Sequence, residues 1–334
     1  MKSRSFSYKK AGVDVRSADD FISAIKPLAG LTHRPGLVGG IGSFGGLFQL
    51  NSHAGRDSIL VASADGVGTK LCLARLAGWY TPLGVDLVAM NVNDILCVGA
   101  KPLFFLDYIA AGKLQPRVLL DVVRGVVRGC IESNCVLLGG ETAQMPLLYK
   151  PDDFDLAGFA VGIVKERDVV SGDRVRPGHV LLGLASNGIH SNGFTLVQKV
   201  LSKRVLKAKA RELLKPTRIY VRPVLDLLEK NLPVLGIVHI TGGSFENKLP
   251  RILPVGVDAV LNTESWTVPP VFKLVQSGGV SRSEMFRTFN MGLGMVIVLP
   301  KSGAARAQKI LRSYGVASWV VGRTIKGNRK VWFE

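Results

Sequence analysis

A mixed α/β fold in two domains is what this chain predicts, on three observations. Short β-branched apolar runs alternate with stretches of helical periodicity from about residue 58 to the C-terminus. Glycines gather where those strands end, instead of in one tight loop. The 334 residues also exceed the ~100–200 of a usual single domain.

The elements follow in order. The N-terminal 35 residues are polar and irregular, and 36–46 is glycine-rich. Residues 58–64 predict a strand that stops at Asp65-Gly66, a turn pair. An apolar helix is expected over 84–98, broken by Lys101-Pro102, with a strand at Phe104, Phe105 and Leu106. After Pro116, residues Val118, Leu119, Val122, Val126 and Val127 recur at helical spacing. Val136–Leu138 runs into Gly139-Gly140-Glu141, and Leu156–Val164 reads as a buried strand. The charged, turn-ending stretch 165–178 is the expected linker, giving domains at 1–168 and 169–334. The second half repeats the style. Val180–Ala185 delivers Ser186–Gly193 and a helix with Phe194, Val197, Val200 and Leu201, and Gly236–Ile240 feeds Thr241-Gly242-Gly243. Strands at Met291–Leu299 and Trp319–Ile325, with a helix at 303–313, close the chain.

Composition narrows the function. Nothing approaches the ~18 consecutive apolar residues of a membrane span, and the first 35 residues lack a signal-peptide core, so a cytoplasmic protein is expected. Cys72, Cys97, Cys130 and Cys135 form no C-x-x-C pair, which argues against zinc and redox motifs. The net charge of +18 is concentrated at Lys199, Lys203, Arg204, Lys207, Lys209, Arg211, Lys215, Arg218 and Arg222. Such a run suits nucleic-acid phosphates, but no aromatic residues interleave to stack bases, so a solvated face that steers an anionic small substrate is the expectation.

Phosphate and metal chemistry is suggested by several turns. Gly40-Ile41-Gly42-Ser43-Phe44-Gly45 matches G-x-G-x-x-G, yet no strand precedes it, which leaves a glycine-rich flap over phosphates or a plain loop. Asp65-Gly66-Val67-Gly68-Thr69-Lys70 sets a carboxylate, exposed amides and an ammonium side by side, suited to magnesium and phosphate or to a capped turn. Asp86, Asn93 and Asp94 share an arc of ~100° on an apolar helix, as a buried metal face or a water-facing stripe. Glu141 offers a further carboxylate. His190, in Gly188–Gly193, and His239, before Thr241-Gly242-Gly243, are candidate acid–base or phosphate-binding groups or structural histidines.

Together these segments resemble the aminoimidazole ribonucleotide synthetase (phosphoribosylformylglycinamidine cyclo-ligase) family over nearly the whole chain. The resemblance runs from Tyr8–Asp14 through Gly45–Phe48, Asp65–Lys70, Val92–Leu96, Pro102–Tyr108 and Gly139–Ala143. It continues through His190–Gly193, Pro216–Tyr220, His239–Gly243 and Arg287–Asn290. It implies ATP-dependent closure of the imidazole ring of formylglycinamidine ribonucleotide, a phosphoribosyl substrate, with Mg²⁺ as cofactor. It also implies a four-stranded N-terminal sheet that pairs across a homodimer into a barrel, and a larger C-terminal α/β domain.

By the same resemblance Asp65, Asp94 and Glu141 are Mg²⁺–ATP carboxylates. Gly39, Gly40, Gly42, Gly45, Gly46, Gly66, Gly68, Thr69, Lys70, Gly139 and Gly140 are ATP contacts. Ser191, Asn192, Gly193, Thr241, Gly242 and Gly243 are substrate contacts, and Asp94, His190 and His239 are catalytic. Lys10, Lys101, Gln144 and the loop 244–248 depart from the family's commoner residues. Relatives on the same fold are selenophosphate synthetase, thiamine-monophosphate kinase and a hydrogenase-maturation dehydratase. The first carries an N-terminal cysteine absent here before Cys72; the other two lack the Pro102–Tyr108 and Pro216–Tyr220 stretches in this form.

Overall fold

A computed structural model describes Ser7, 37–38, 46–49, 57–113 and 115–334. The first sheet has strands β1 (Leu37–Val38), β2 (Gly46–Gln49), β3 (Ser58–Gly66), β4 (Lys101–Ala111), β5 (Val136–Gln144) and β6 (Phe154–Lys165). Their order is β1-β2-β3-β6-β4-β5; β4 and β5 run parallel and the other pairs antiparallel. The four long strands match the sheet expected from the resemblance, and two short strands extend it to six.

Helices α1 (Lys70–Ala77), α2 (Thr81–Leu96) and α3 (Pro116–Ser133) accompany this sheet. Alternation along β3 and β6 buries Ile59, Val61, Leu156 and Ala160 on the helix side. The other face carries partly exposed apolar residues, among them Phe159, Val136 and Leu138. Helix α2 is apolar nearly all round, and 14 of its 16 residues are buried. Its polar residues therefore do not form a water-facing stripe. α2 packs backbone to backbone on α3 through Gly84 and Gly125: a Cβ on Gly84 would lie 2.0 Å from the Val122 carbonyl, and one on Gly125 would lie 2.0 Å from that of Thr81.

The second sheet holds β7 (Val180–Ala185), β8 (Gly236–His239), β9 (Val257–Leu261), β10 (Leu293–Leu299), β11 (Ser318–Lys326) and β12 (Val331–Phe333), ordered β12-β9-β11-β7-β10-β8. Around it lie α4 (Phe194–Val200), α5 (Lys203–Ala208), α6 (Ala210–Leu213), α7 (Val221–Glu229), α8 (Ser244–Lys248), α9 (Pro270–Ser277), α10 (Arg282–Thr288) and α11 (Ala304–Ser313). The sequence pattern anticipates none of β9, β12, α1, α5, α6, α7, α8, α9 and α10. Among the described residues no helix is long and apolar enough to cross a membrane.

Candidate active site between the two sheets

Polar side chains of α2 bind the two halves of the chain together. Asp86 is fully buried; its Oδ1 accepts from the Thr217 amide and hydroxyl, both at 2.7 Å, and its Oδ2 meets the Lys70 ammonium at 2.6 Å. Asn93 donates to the Arg218 carbonyl at 2.8 Å and accepts from the Tyr220 amide at 2.9 Å. The segment 216–220, recognisable in the sequence as a motif, is thus a strip clamped by α2.

Lys70 departs from its expected phosphate role. An ammonium has three donors, and here they go to Asp86, to the His190 carbonyl at 2.8 Å and to the Lys215 carbonyl at 3.0 Å. Burial pulls its pKa down while Asp86 opposes that shift. The ammonium is spent on structure. The rest of the turn stays accessible: Gly68 and Thr69 are exposed, Gly66 is partly so, and the Thr69 hydroxyl lies 2.8 Å from that of Thr195. Gly46 lies in β2, whereas Gly39, Gly40, Gly42 and Gly45 fall outside the described residues.

Asp65, Asp94 and His239 do come together. Asp65 ends β3, Asp94 ends the polar arc of α2, and His239 ends β8. His239 Nδ1 lies 2.8 Å from Asp94 Oδ1. A carboxylate only accepts, so Nδ1 is the donor in this bond. The ring's Nε2 is buried without a partner among the described residues. Burial, then the Asp94 charge, pushes the Asp65 carboxyl up to about 6; His239 and Lys248 oppose the shift. Lys248, not singled out as a site residue in the sequence, therefore belongs to this cluster.

His190 is positioned differently. Its Nε2 accepts from the amides of Asn187 at 3.1 Å and Arg218 at 3.3 Å, so that nitrogen is occupied. Burial, then the neighbouring positive charges of His239, Lys70 and Arg218, hold its pKa well below the ordinary histidine value. The ring braces two loops through Nε2, while its Nδ1 is buried without a partner among the described residues.

The two substrate turns meet. A Cβ on Gly242 would lie 3.4 Å from Asn192 Nδ2, and Ser191 Oγ is 3.1 Å from Thr217 Oγ1. Gly193 and Gly243 hold φ values of 83° and 82°, followed by Ser244 at 49°. Ser244 accepts this left-handed backbone while its hydroxyl donates to the Phe289 carbonyl at 2.6 Å. Asn290 donates to the carbonyls of Gly188 and Ile189, so residues 289–290 tie both turns; Thr241 lies buried beside them.

Glu141 is not part of the Asp65–Asp94 cluster. Asp65 pairs with Gly158, Gly158 with Asp107, and Asp107 with Gly140, so three strand spacings of ~4.8 Å separate Asp65 from Gly140. One residue further on, Glu141 belongs to the opposite, open face of the sheet. Gly139, Gly140 and Glu141 are all exposed on the edge strand. Among the described residues no group of three or more His, Cys, Asp or Glu side chains is arranged to hold a metal ion.

Comparison with known proteins places this geometry. The family described as AIR synthase related protein, N-terminal domain, matches residues 47–164, and its C-terminal domain counterpart matches 176–333. The chain is 46% identical to the phosphoribosylformylglycinamidine cyclo-ligase of Carboxydothermus hydrogenoformans, covering 97% of this chain and 98% of that one. It is equally 46% identical to the enzyme of that name from Bacillus thuringiensis subsp. konkukian, covering 96% of each. In fold it is similar to the thiamine-monophosphate kinase of Stenotrophomonas maltophilia, at 16% identity and a TM-score of 0.62, covering 94% of this chain and 95% of that one. It is likewise similar to AaThiL complexed with AMPPCP and TMP, at 14% identity and a TM-score of 0.64, covering 93% and 94%.

Proposed function

The chain belongs to the AIR synthase family, and from that premise we propose how its residues carry out the ATP-dependent cyclisation of formylglycinamidine ribonucleotide to aminoimidazole ribonucleotide. It is an ATP-dependent ligase. ATP phosphorylates the formamide oxygen of the substrate, a ring-forming nitrogen attacks the activated carbon, and ADP and phosphate leave. The carrying observation is the Asp94–His239 contact, which joins the carboxylate end of the first sheet to the substrate turns of the second.

Mg²⁺ suits Asp65 and Asp94. Two carboxylates near enough to raise one pKa want a cation, and magnesium bound with a nucleotide takes one or two carboxylates along with phosphate oxygens. When bound, it offsets phosphate charge. The amide of Gly68 and the hydroxyl of Thr69 line the phosphate side, while the Gly66 amide donates to Asp65 Oδ1 at 2.7 Å. Ser191, Asn192, Gly193, Thr241, Gly242 and Gly243 hold the phosphoribosyl substrate. His239, oriented by Asp94 through Nδ1, presents Nε2 to the cyclising nitrogen and takes up the proton released there.

A homodimer fits the open face of the first sheet, where Val136 is 59% exposed and Phe159 is 41% exposed. Glu141 shares that face, so it serves a nucleotide only where a second sheet meets it. A cytoplasmic location goes with a nucleotide substrate. We read the basic run as a protein surface and not a nucleic-acid site, a reading supported where Arg211 stacks on Trp79 at 4.5 Å and Arg218 and Arg222 donate to the carbonyls of Gly315 and Ile131.

The test is phosphate release with ATP and Mg²⁺, with formylglycinamidine ribonucleotide or thiamine monophosphate as second substrate. Release should require the former and be absent with the latter. Equal release without either substrate would sink the proposal.

A further inference from the structure

Cys130 and Cys135 are five residues apart, on opposite sides of an ideal helix. The helix does not continue that far. α3 stops at Ser133, and Asn134 takes the left-handed conformation, φ 55° and ψ 43°, that turns a chain back over a helix end. The Cys135 amide then donates to the Cys130 carbonyl at 2.9 Å. That bond closes the loop between the two cysteines, the first thing a disulfide needs, since its Cα atoms stand only ~4.4–6.8 Å apart. Each thiol is shifted by the other, so the two groups are close neighbours, and Ser133 Oγ lies 3.2 Å from Cys135 Sγ. Both are free thiols, Cys130 buried and Cys135 half-buried.

We infer that Cys130 and Cys135 form a redox-active dithiol, oxidised to an intramolecular disulfide by low-molecular-weight disulfides, with Cys135 as the attacking sulfur. The bond from Cys130 brings the Cys135 thiol down to about 7 against its burial, and the Ser133 hydroxyl helps. Ser133 donates to the Gly129 carbonyl at 2.7 Å and must rotate to serve the thiolate. Cys130 is shifted the opposite way, by its bond to Cys135, by burial, and by the charges of Cys135 and Asp107 on β4. The negative pole of α3 opposes a thiolate, but Arg222 caps it by donating to the Ile131 carbonyl at 2.8 Å. A cleft of about 290 Å³, lined by Ser133, Asn134, Lys101 and Arg222, opens beside this turn.

The reaction balances in two steps. The Cys135 thiolate attacks one sulfur of the small disulfide, forms a mixed disulfide and expels one thiolate. Cys130 then loses its proton and attacks the Cys135 sulfur, expelling the second thiolate. Two protein thiols are oxidised by two electrons, and one small disulfide is reduced to two thiols.

The full-length protein is incubated with oxidised glutathione, quenched in acid and digested with trypsin. Both cysteines fall in one peptide, residues 129–165, which should lose the mass of two hydrogen atoms while the exposed Cys72 stays reduced. Cys130→Ser should trap glutathione on Cys135, and Cys135→Ser should leave Cys130 unmodified. Alkylation of Cys135 should rise with a midpoint near pH 7, and Cys130→Ala should move that midpoint toward the ~8.5 of a free thiol. Modification of Cys72 ahead of Cys135, or no trapped glutathione in Cys130→Ser, overturns the inference.

Discussion

Replacing Lys70 with Met separates two roles for this lysine. The ammonium is enclosed by Asp86 at 2.6 Å and by two carbonyls, all without solvent. Methionine keeps much of the volume but leaves a buried carboxylate unpaired, a change that costs about 3–5 kcal/mol. A second substitution, Asp86→Leu, removes that carboxylate but strands the amide and hydroxyl of Thr217, which Asp86 now accepts from. Unsatisfied groups of that kind cost about 1–3 kcal/mol. The double variant should therefore recover part of the loss and not all of it. Urea titration of parent, single and double variants, with equal slopes required, measures this difference. A Lys70→Met protein within about 1 kcal/mol of the parent, but with phosphate release down ~10²–10³ fold, would return Lys70 to the phosphates and refute the structural assignment.

Asp94→Asn should lower saturated phosphate release ~10²–10³ fold, because it removes the negative charge offered to the metal and to His239 Nδ1; turnover within a few-fold of the parent would take Asp94 out of the site. For His190 the pH sign is fixed by its depressed pKa. The unfolded chain binds a proton below ~6.5 while the folded ring does not, so stability is lost as pH falls from that value toward the folded pKa. The slope is about 1.4 kcal/mol per pH unit, and His190→Gln should flatten the fall in melting temperature between pH 7 and 5.

Much of this was legible in the chain. Strand exits at Asp65 and Thr241 are visible from where β-branched runs stop, whereas β5 continues through Gly139 to Gln144, and the resemblance supplied the chemistry. What the sequence hides is the partner of each polar group. Asp65-Gly-x-Gly-Thr-Lys70 puts an ammonium among phosphate-like signals, yet α1 turns Lys70 inward to residues 120 and 145 positions later. Glu141 reads as a third carboxylate, and only strand order and alternation show it three strands away on the other face. Cys130 and Cys135 look unrelated because no spacing rule anticipates the left-handed turn at Asn134.

Helix α2 shows why both the fold and the site rest on costly groups. Asp86 and Asn93 hold the strip 216–220, Asn91 Nδ2 reaches toward the Asp65 carbonyl at 3.5 Å, and Asp94 holds His239. Each alone would destabilise an apolar helix; each is bonded to a group outside it. Asp86 and Asn93 therefore tie α2 to the second half of the chain, Asn91 ties it to β3, and Asp94 uses that placement to set a carboxylate beside an imidazole. Asp94 also keeps 17% of its side chain exposed, while Asp86 keeps none. On one helix the enclosed carboxylate belongs to structure, and the one still reached by solvent is left for chemistry.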